Sequence, residues 1–283
     1  MKQIRIKCPA KINLTLEIVN RRNDGYHNIK SIMQLVDLYD YLTIKIGHAH
    51  SNTIKLSGNS SEIPYDERNL VYKACELFLK ESKISNTNID IYIEKNIPVS
   101  AGLAGGSTDG AGTIYGLNKL FSVYDDEKLH DLCSKLGSDL NVCLLGGCVL
   151  ATSRGEITEP LKNINREVTL IKPKGLGISA KEAYTKYTLK QNKPQNNMTE
   201  KMLNAINHNN DIEPFLYNDL EYAVFDDYQQ LHEIKRAYPN AIMSGSGSSY
   251  FVLDNVKQYL PDKDYLYINN LKFIQEGVSI ADL

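Results

Sequence analysis

One stretch constrains the chain more than any other: residues 97–115, I-P-V-S-A-G-L-A-G-G-S-T-D-G-A-G-T-I-Y. An alternating apolar run at 89–97 leads into it, and Pro98 closes that run. Gly102, Gly105 and Gly106 follow closely, then Ser107, Thr108 and Asp109, all side chains that cap helix starts well. Residues 111–121 then read as the helix. A strand, a glycine-rich loop and a helix start make a place for phosphate. Glycines let the backbone come close to an anion, loop N–H groups point inward, and the helix start adds partial positive charge. A tight turn capping a helix would use the same residues. Three common motifs are excluded. No Gly-Lys pair follows, as a P-loop needs, and G-x-G-x-x-G does not fit. Asp109 stands where the last glycine of a hydrolase elbow, G-x-S-x-G, would be.

Length and composition bound the rest. With 283 residues, about two domains are expected. At 42% hydrophobic and 23% charged, the chain can bury a sizeable core. No apolar run approaches the roughly 20 residues of a membrane span. Residues 1–7 alternate charge and isoleucine, a strand pattern and not a signal peptide. The expectation is therefore a cytoplasmic protein. The five cysteines show no metal-site spacing, so buried thiols in a reducing compartment are expected. A net charge of −2 gives no general attraction to nucleic acid or to anionic lipid. Any anionic ligand must be held by local groups.

Along the chain, Ile4, Ile6 and Cys8 alternate, then Ile12, Leu14, Leu16 and Ile18, with an interruption expected at Pro9-Ala10. Lys11 and Asn13 share the opposite face. Residues 21–25 form an Asp-Gly turn, followed by Tyr26 and His27. Strands are expected at 29–38, 41–46, 52–56 and 88–94, and helices at 70–79 and from 125 to Gly137. An apolar run at 144–151 is broken by Gly146-Gly147. A domain boundary falls near 159–165, giving domains 1–160 and 161–283. The second half reads as a strand at 167–171, a helix capped by Ser179, and a polar, low-complexity stretch at 191–197. A helix at 198–207 and two more within 218–238 follow. A second small-residue loop, 244–249, lies between strands, and 265–269 reads as the last strand.

Three segments now coincide: P-A-K-I-N-L at 9–14, P-V-S-A-G-L-A-G-G-S-T-D at 98–109 and M-S-G-S-G-S-S at 243–249. In this order and at these separations, over nearly the whole chain, the sequence resembles the GHMP kinases. R-N-D-G-Y-H at 22–27, and Gly137-Ser138-Asp139 followed by Arg154-Gly155-Glu156, resemble one branch of that family. This branch phosphorylates the 2-hydroxyl of a cytidine diphosphate derivative of methylerythritol, on the non-mevalonate route to isoprenoid precursors. The resemblance implies an α+β, two-domain GHMP kinase fold. Its N-terminal domain is ribosomal-protein-like, with a left-handed β-α-β unit, its C-terminal domain is ferredoxin-like, and the site lies between them. The left hand departs from the usual rule for crossovers.

The resemblance also implies roles. Asp139 is the general base, and Lys11 keeps it ionised and offsets charge on the transferred phosphoryl. Asn13 orients the substrate hydroxyl. Tyr26 and His27 bind cytosine, with Tyr184 closing an aromatic sandwich. Pro98, Val99, Ser100, Ala101, Gly102, Leu103, Ala104, Gly105, Gly106, Ser107 and Thr108 hold the phosphates of ATP, and Ser107 is also the candidate Mg2+ ligand. Residues 245–248 support the cleft. Without the resemblance, Asp139 is an ordinary turn aspartate, Lys11 a solvated strand lysine and Tyr184 one of 18 tyrosines. The chain departs from the family at Ala104, where glycine is usual, and at Gly110, where alanine is. Leu140-Asn141-Val142 replaces Val-Pro-Phe or Val-Ser-Phe, and Ser153 replaces a common glycine. Two alternatives stay open: a mevalonate- or homoserine-type acceptor, and a nucleotide-binding member of the fold without catalysis.

Overall fold

The structure is a computed structural model describing residues 2–191 and 196–282. The polar stretch at 191–197 therefore lies largely outside the described residues. Two long strands open the chain, β1 (Lys2–Arg21) and β2 (His27–His48). β3 (Thr53–Gly58), α1 (Leu70–Ser82) and β4 (Thr87–Glu94) follow. Then come α2 (Gly105–Phe121), α3 (Asp126–Leu136), α4 (Leu140–Leu145), β5 (Cys148–Ser153) and β6 (Ile157–Pro160). Beyond these lie β7 (Glu167–Pro173), α5 (Ala180–Leu189), α6 (Met198–His208), β8 (Tyr217–Asn218) and α7 (Asp219–Val224). The chain finishes with α8 (Gln229–Ala237), β9 (Ile242–Met243), β10 (Tyr250–Leu253), β11 (Tyr265–Lys272) and β12 (Ser279–Ala281).

Two sheets result. The larger has the order β12-β1-β2-β4-β3, with β5 on β2, β6 on β5 and β8 on β1. β3 and β4 run parallel and are joined through α1. The smaller, antiparallel sheet has the order β11-β7-β10-β9. The mixed α+β architecture agrees with the expected fold class. Among the described residues no helix is long and apolar enough to cross a membrane.

The expected break at Pro9-Ala10 is a register shift inside one continuous strand. Pro9 pairs with Tyr39 and Ala10 with Val36, so β2 bulges and β1 runs on. A bulge absorbs the N–H that proline lacks without ending the strand. The shift also marks a change of partners. Ile6 and Cys8 belong to a core with α1, α2 and α3. Ala10, Ile12 and Leu14 belong to a core shared with Val168 and Leu170 of β7 and Phe251 of β10. One strand thus seals both halves of the molecule.

The helix after the glycine loop begins at Gly105, six residues before the expected 111. Ala104 occupies the cap position in the left-handed region, with no side-chain cap. Ser107, Thr108 and Asp109 lie inside the first turns and cap nothing. Glycines let α2 sit directly on β1: a methyl group on Gly112 would collide with Cys8 Sγ. The apolar run at 144–151 is split between the end of α4 and β5, since Gly146 and Gly147 both take positive φ. β6 and β12 were not anticipated, being short and weakly patterned. All five thiols are buried.

Candidate active site

A cleft of about 1240 Å³ runs between the glycine loop, the start of β2, the start of α4 and one side of α5. Single small-ligand pockets usually measure about 300–1000 Å³, so there is room for two ligands. Residues 98–107 form one wall. Ser100, Gly102 and Ala104 all have positive φ, at 51°, 75° and 59°. Left-handed residues at alternate positions turn N–H groups toward one side and make an anion-binding concavity. The uncapped start of α2 adds N–H groups that have no partner within the helix. Thr108 stands apart: it is fully buried, its N–H donates to Ala104 O at 2.9 Å, and it does not line the cleft.

Lys11 projects from β1 into the floor of the cleft and is only 3% exposed. Its Nζ donates to Asn13 Oδ1 at 2.6 Å and to Gly102 O at 3.1 Å, and lies 3.5 Å from Asp139 Oδ2. These three acceptors match the three protons of an ammonium. Asn13 Nδ2 in turn donates to Ser31 Oγ at 2.9 Å, which fixes its amide. Asp139 occupies the N-terminal boundary of α4 but makes no capping bond. Its carboxylate is therefore left for the cleft. From the second half of the chain, Ser244 Oγ donates to the same Gly102 carbonyl at 3.0 Å. Asn218 Nδ2 holds the carbonyls of Met243 and Gly245 at 2.6 and 2.8 Å.

The opposite end of the cleft is aromatic. His27 stacks on Tyr184 with ring centroids 5.3 Å apart and planes at 19°. Thr188 Oγ1 lies 3.2 Å from His27 Nε2. Tyr26 is 58% exposed, and the ring stacked on Tyr184 is that of His27. Tyr26 instead lies beneath the Arg154 guanidinium, 5.4 Å from its ring centre. Burial pushes the nearby Glu156 carboxyl up. Hydrogen bonds from backbone N–H groups and Ser153, with the Arg154 charge, outweigh that and hold it below the usual carboxylate range.

Sequence reasoning passed over one group. Lys95 lines the cleft and pairs with buried Asp40 and, at 2.8 Å, with Asp109. Asp40 Oδ1 also accepts from the backbone of Asn96 at 2.6 Å and Ile97 at 2.8 Å. This network ties the strand end before the loop to α2. Burial pushes the Asp109 carboxyl up to about 7, although the Lys95 charge pulls it back. The only sequence signal was a lysine just before Ile97-Pro98. Asp40 gives none, because nothing local says which acid a fold will bury.

The GHMP kinases N terminal domain profile matches residues 69–147. A 4-diphosphocytidyl-2-C-methyl-D-erythritol kinase from Clostridium botulinum (strain Eklund 17B / Type B) is 39% identical over 261 residues, 88% of this chain and 90% of its own length. One from Alkaliphilus metalliredigens is 35% identical over 259 residues, 89% and 88% of the two chains. The chain belongs to this kinase family. The family's fold agrees: a crystal structure of 4-(cytidine 5'-diphospho)-2C-methyl-D-erythritol kinase aligns with a TM-score of 0.74 at 28% identity, covering 95% of this chain and 99% of that one. A homoserine kinase from Cytophaga hutchinsonii aligns at 0.77 but at 17% identity, covering 99% and 98%, a likeness of fold alone.

Proposed function

We propose that this kinase transfers the γ-phosphoryl group of ATP to the 2-hydroxyl of 4-diphosphocytidyl-2-C-methyl-D-erythritol. The observation that carries the reading is the Lys11–Asp139 pair, 3.5 Å apart, set between the anion-binding loop and the aromatic end of the cleft. Asp139 accepts the hydroxyl proton as that oxygen attacks the γ-phosphorus, and ADP leaves with the electrons of the broken P–O bond. Lys11 sits beside the carboxylate and faces developing charge. Asn13, locked by Ser31, orients the hydroxyl. Loop 98–107 holds the phosphates, and His27, Tyr26 and Tyr184 recognise the cytosine end. Residues 1–160 would supply the phosphate loop and the chemistry, and 161–283 the far wall.

The residues present fit a Mg2+ ion carried in by the nucleotide. Among the described residues no cluster of three or more His, Cys, Asp or Glu could hold a metal alone. The Ser107 and Asp139 side chains do face the cleft. Magnesium commonly takes one or two protein ligands beside phosphate and water. When bound, it would neutralise phosphate charge.

An ADP-release assay with the cytidylyl substrate tests the reading. Wild type should turn over, and Asp139→Ala should lose at least about a hundredfold in kcat while melting as wild type does. Undiminished turnover in Asp139→Ala removes Asp139 as the base. A preference for mevalonate or homoserine over the cytidylyl acceptor removes the acceptor assignment.

A further inference from the structure

Two residues on different elements, Asn141 and Ser153, meet at a third, Glu156. Asn141, the second residue of α4, is 4% exposed. Its Nδ2 donates to Ser134 Oγ at 2.8 Å and to Glu156 O at 2.9 Å. Ser153 Oγ donates to Glu156 Oε1 at 3.0 Å and accepts from an Arg22 guanidinium nitrogen at 3.2 Å. Glu156 Oε2 accepts from the Arg154 backbone N–H at 2.8 Å. On the far side, Arg22 grips Asp24, whose Oδ1 accepts from the Tyr26 backbone N–H at 3.1 Å. Hydrogen bonds thus run from α4, which Asp139 precedes, to the backbone of Tyr26 at the mouth of the cleft.

Neither residue is where stability alone would put it. Ser153 takes φ 61°, where glycine would sit without strain. Asn141 Oδ1 is buried and has no hydrogen-bond partner, which costs free energy that a smaller residue would not lose. What the two share is Glu156.

We propose that Asn141 and Ser153, joined through Glu156, are positioning residues that lock the turn bearing Arg154 to the helix start bearing Asp139. Contact with the acceptor's nucleotide end and placement of the base then move as one rigid unit. The inference rests on the kinase reading above and adds the residues that couple recognition to proton transfer in this chain.

Ser153→Gly in the full chain is the decisive variant, because a structural role and a positioning role predict opposite outcomes. Its melting temperature should stay level or rise as the left-handed strain is relieved. Its kcat with the cytidylyl acceptor should fall about threefold to tenfold, the loss one ordinary hydrogen bond can cause, with the KM for ATP unmoved. Asn141→Ala should show the same kcat loss. The double variant should lose less than the product of the two, since both bonds end on one residue. With CDP as the probe, hydrogen exchange at 139–145 should slow in wild type and not in Ser153→Gly. If both variants turn over at the wild-type rate and keep that protection, the coupling is overturned and the kinase reading stands. A wild type that neither phosphorylates the acceptor nor binds CDP overturns both.

Discussion

His27 shows how much one residue carries at this site. Its ring lies on Tyr184 and its Nε2 meets Thr188, so it joins β2 to α5 across the cleft. If it also meets the base, His27→Ala should raise the acceptor KM about tenfold, since stacking is worth about 1–3 kcal/mol per base. The KM for ATP should hold steady, and steady-state kinetics with each substrate varied separates the two. Ala104 makes a second case. An alanine in the left-handed region costs about 1–2 kcal/mol, partly offset in glycine by lost chain entropy. Ala104→Gly should therefore stabilise by about 0.5 kcal/mol, read as a higher urea midpoint at unchanged slope. The family resemblance located these residues in the sequence, but their contacts were not legible there. Lys11 reads as a solvated strand lysine because strand alternation says which side a residue faces, not what covers that side. Tyr184 is expected to close a sandwich at the Tyr26–His27 pair, and sequence spacing cannot choose which of those two adjacent rings it meets; in the structure it is His27.

Among the elements, α2 is the one whose start matters. Side chains at 107–109 look like caps, and a residue scale cannot see that a phosphate-binding helix does better with its first N–H groups uncovered. The element is anchored instead through Asp109 and Lys95. That anchor makes a pH-dependent contribution. An unfolded aspartate ionises near pH 4, whereas buried Asp109 keeps its proton up to about 7. Between those values the folded chain holds a proton that the unfolded chain has released. Stability from this group is therefore present at low pH, falls as pH rises through the window and levels off above it. Asp109→Asn cannot titrate. Denaturation midpoints of wild type and variant should accordingly differ most at and below about pH 4, in the direction of wild type, with the gap narrowing as pH rises and reaching a plateau above about pH 7.

In the whole molecule, the cleft draws walls from both halves, so ligands should tighten the entire fold. ADP and CDP, each at about 100 times its Kd, should stabilise by about 2.7 kcal/mol apiece and raise the melting temperature by several degrees. Together they should exceed either alone, and thermal scans with one and both ligands check this. Long strands and helices with clear period, such as β4 and α3, were legible in the sequence. The joining of the halves was not. Its evidence is three-dimensional: Ile12 and Leu14 share a core with β7 and β10, and β8 and β12 pair with β1. That last pairing bears on how the molecule comes into being. Arg5, Ile6 and Lys7 lie beside Ala281, Ile280 and Ser279. The strand that holds Lys11 is made long before one of its neighbours, which follows β11. Closure of such distant contacts is slow, and an open strand edge invites association while it waits. Until β12 is made, residues 5–7 of β1 therefore wait with β2 on one side and an open edge on the other.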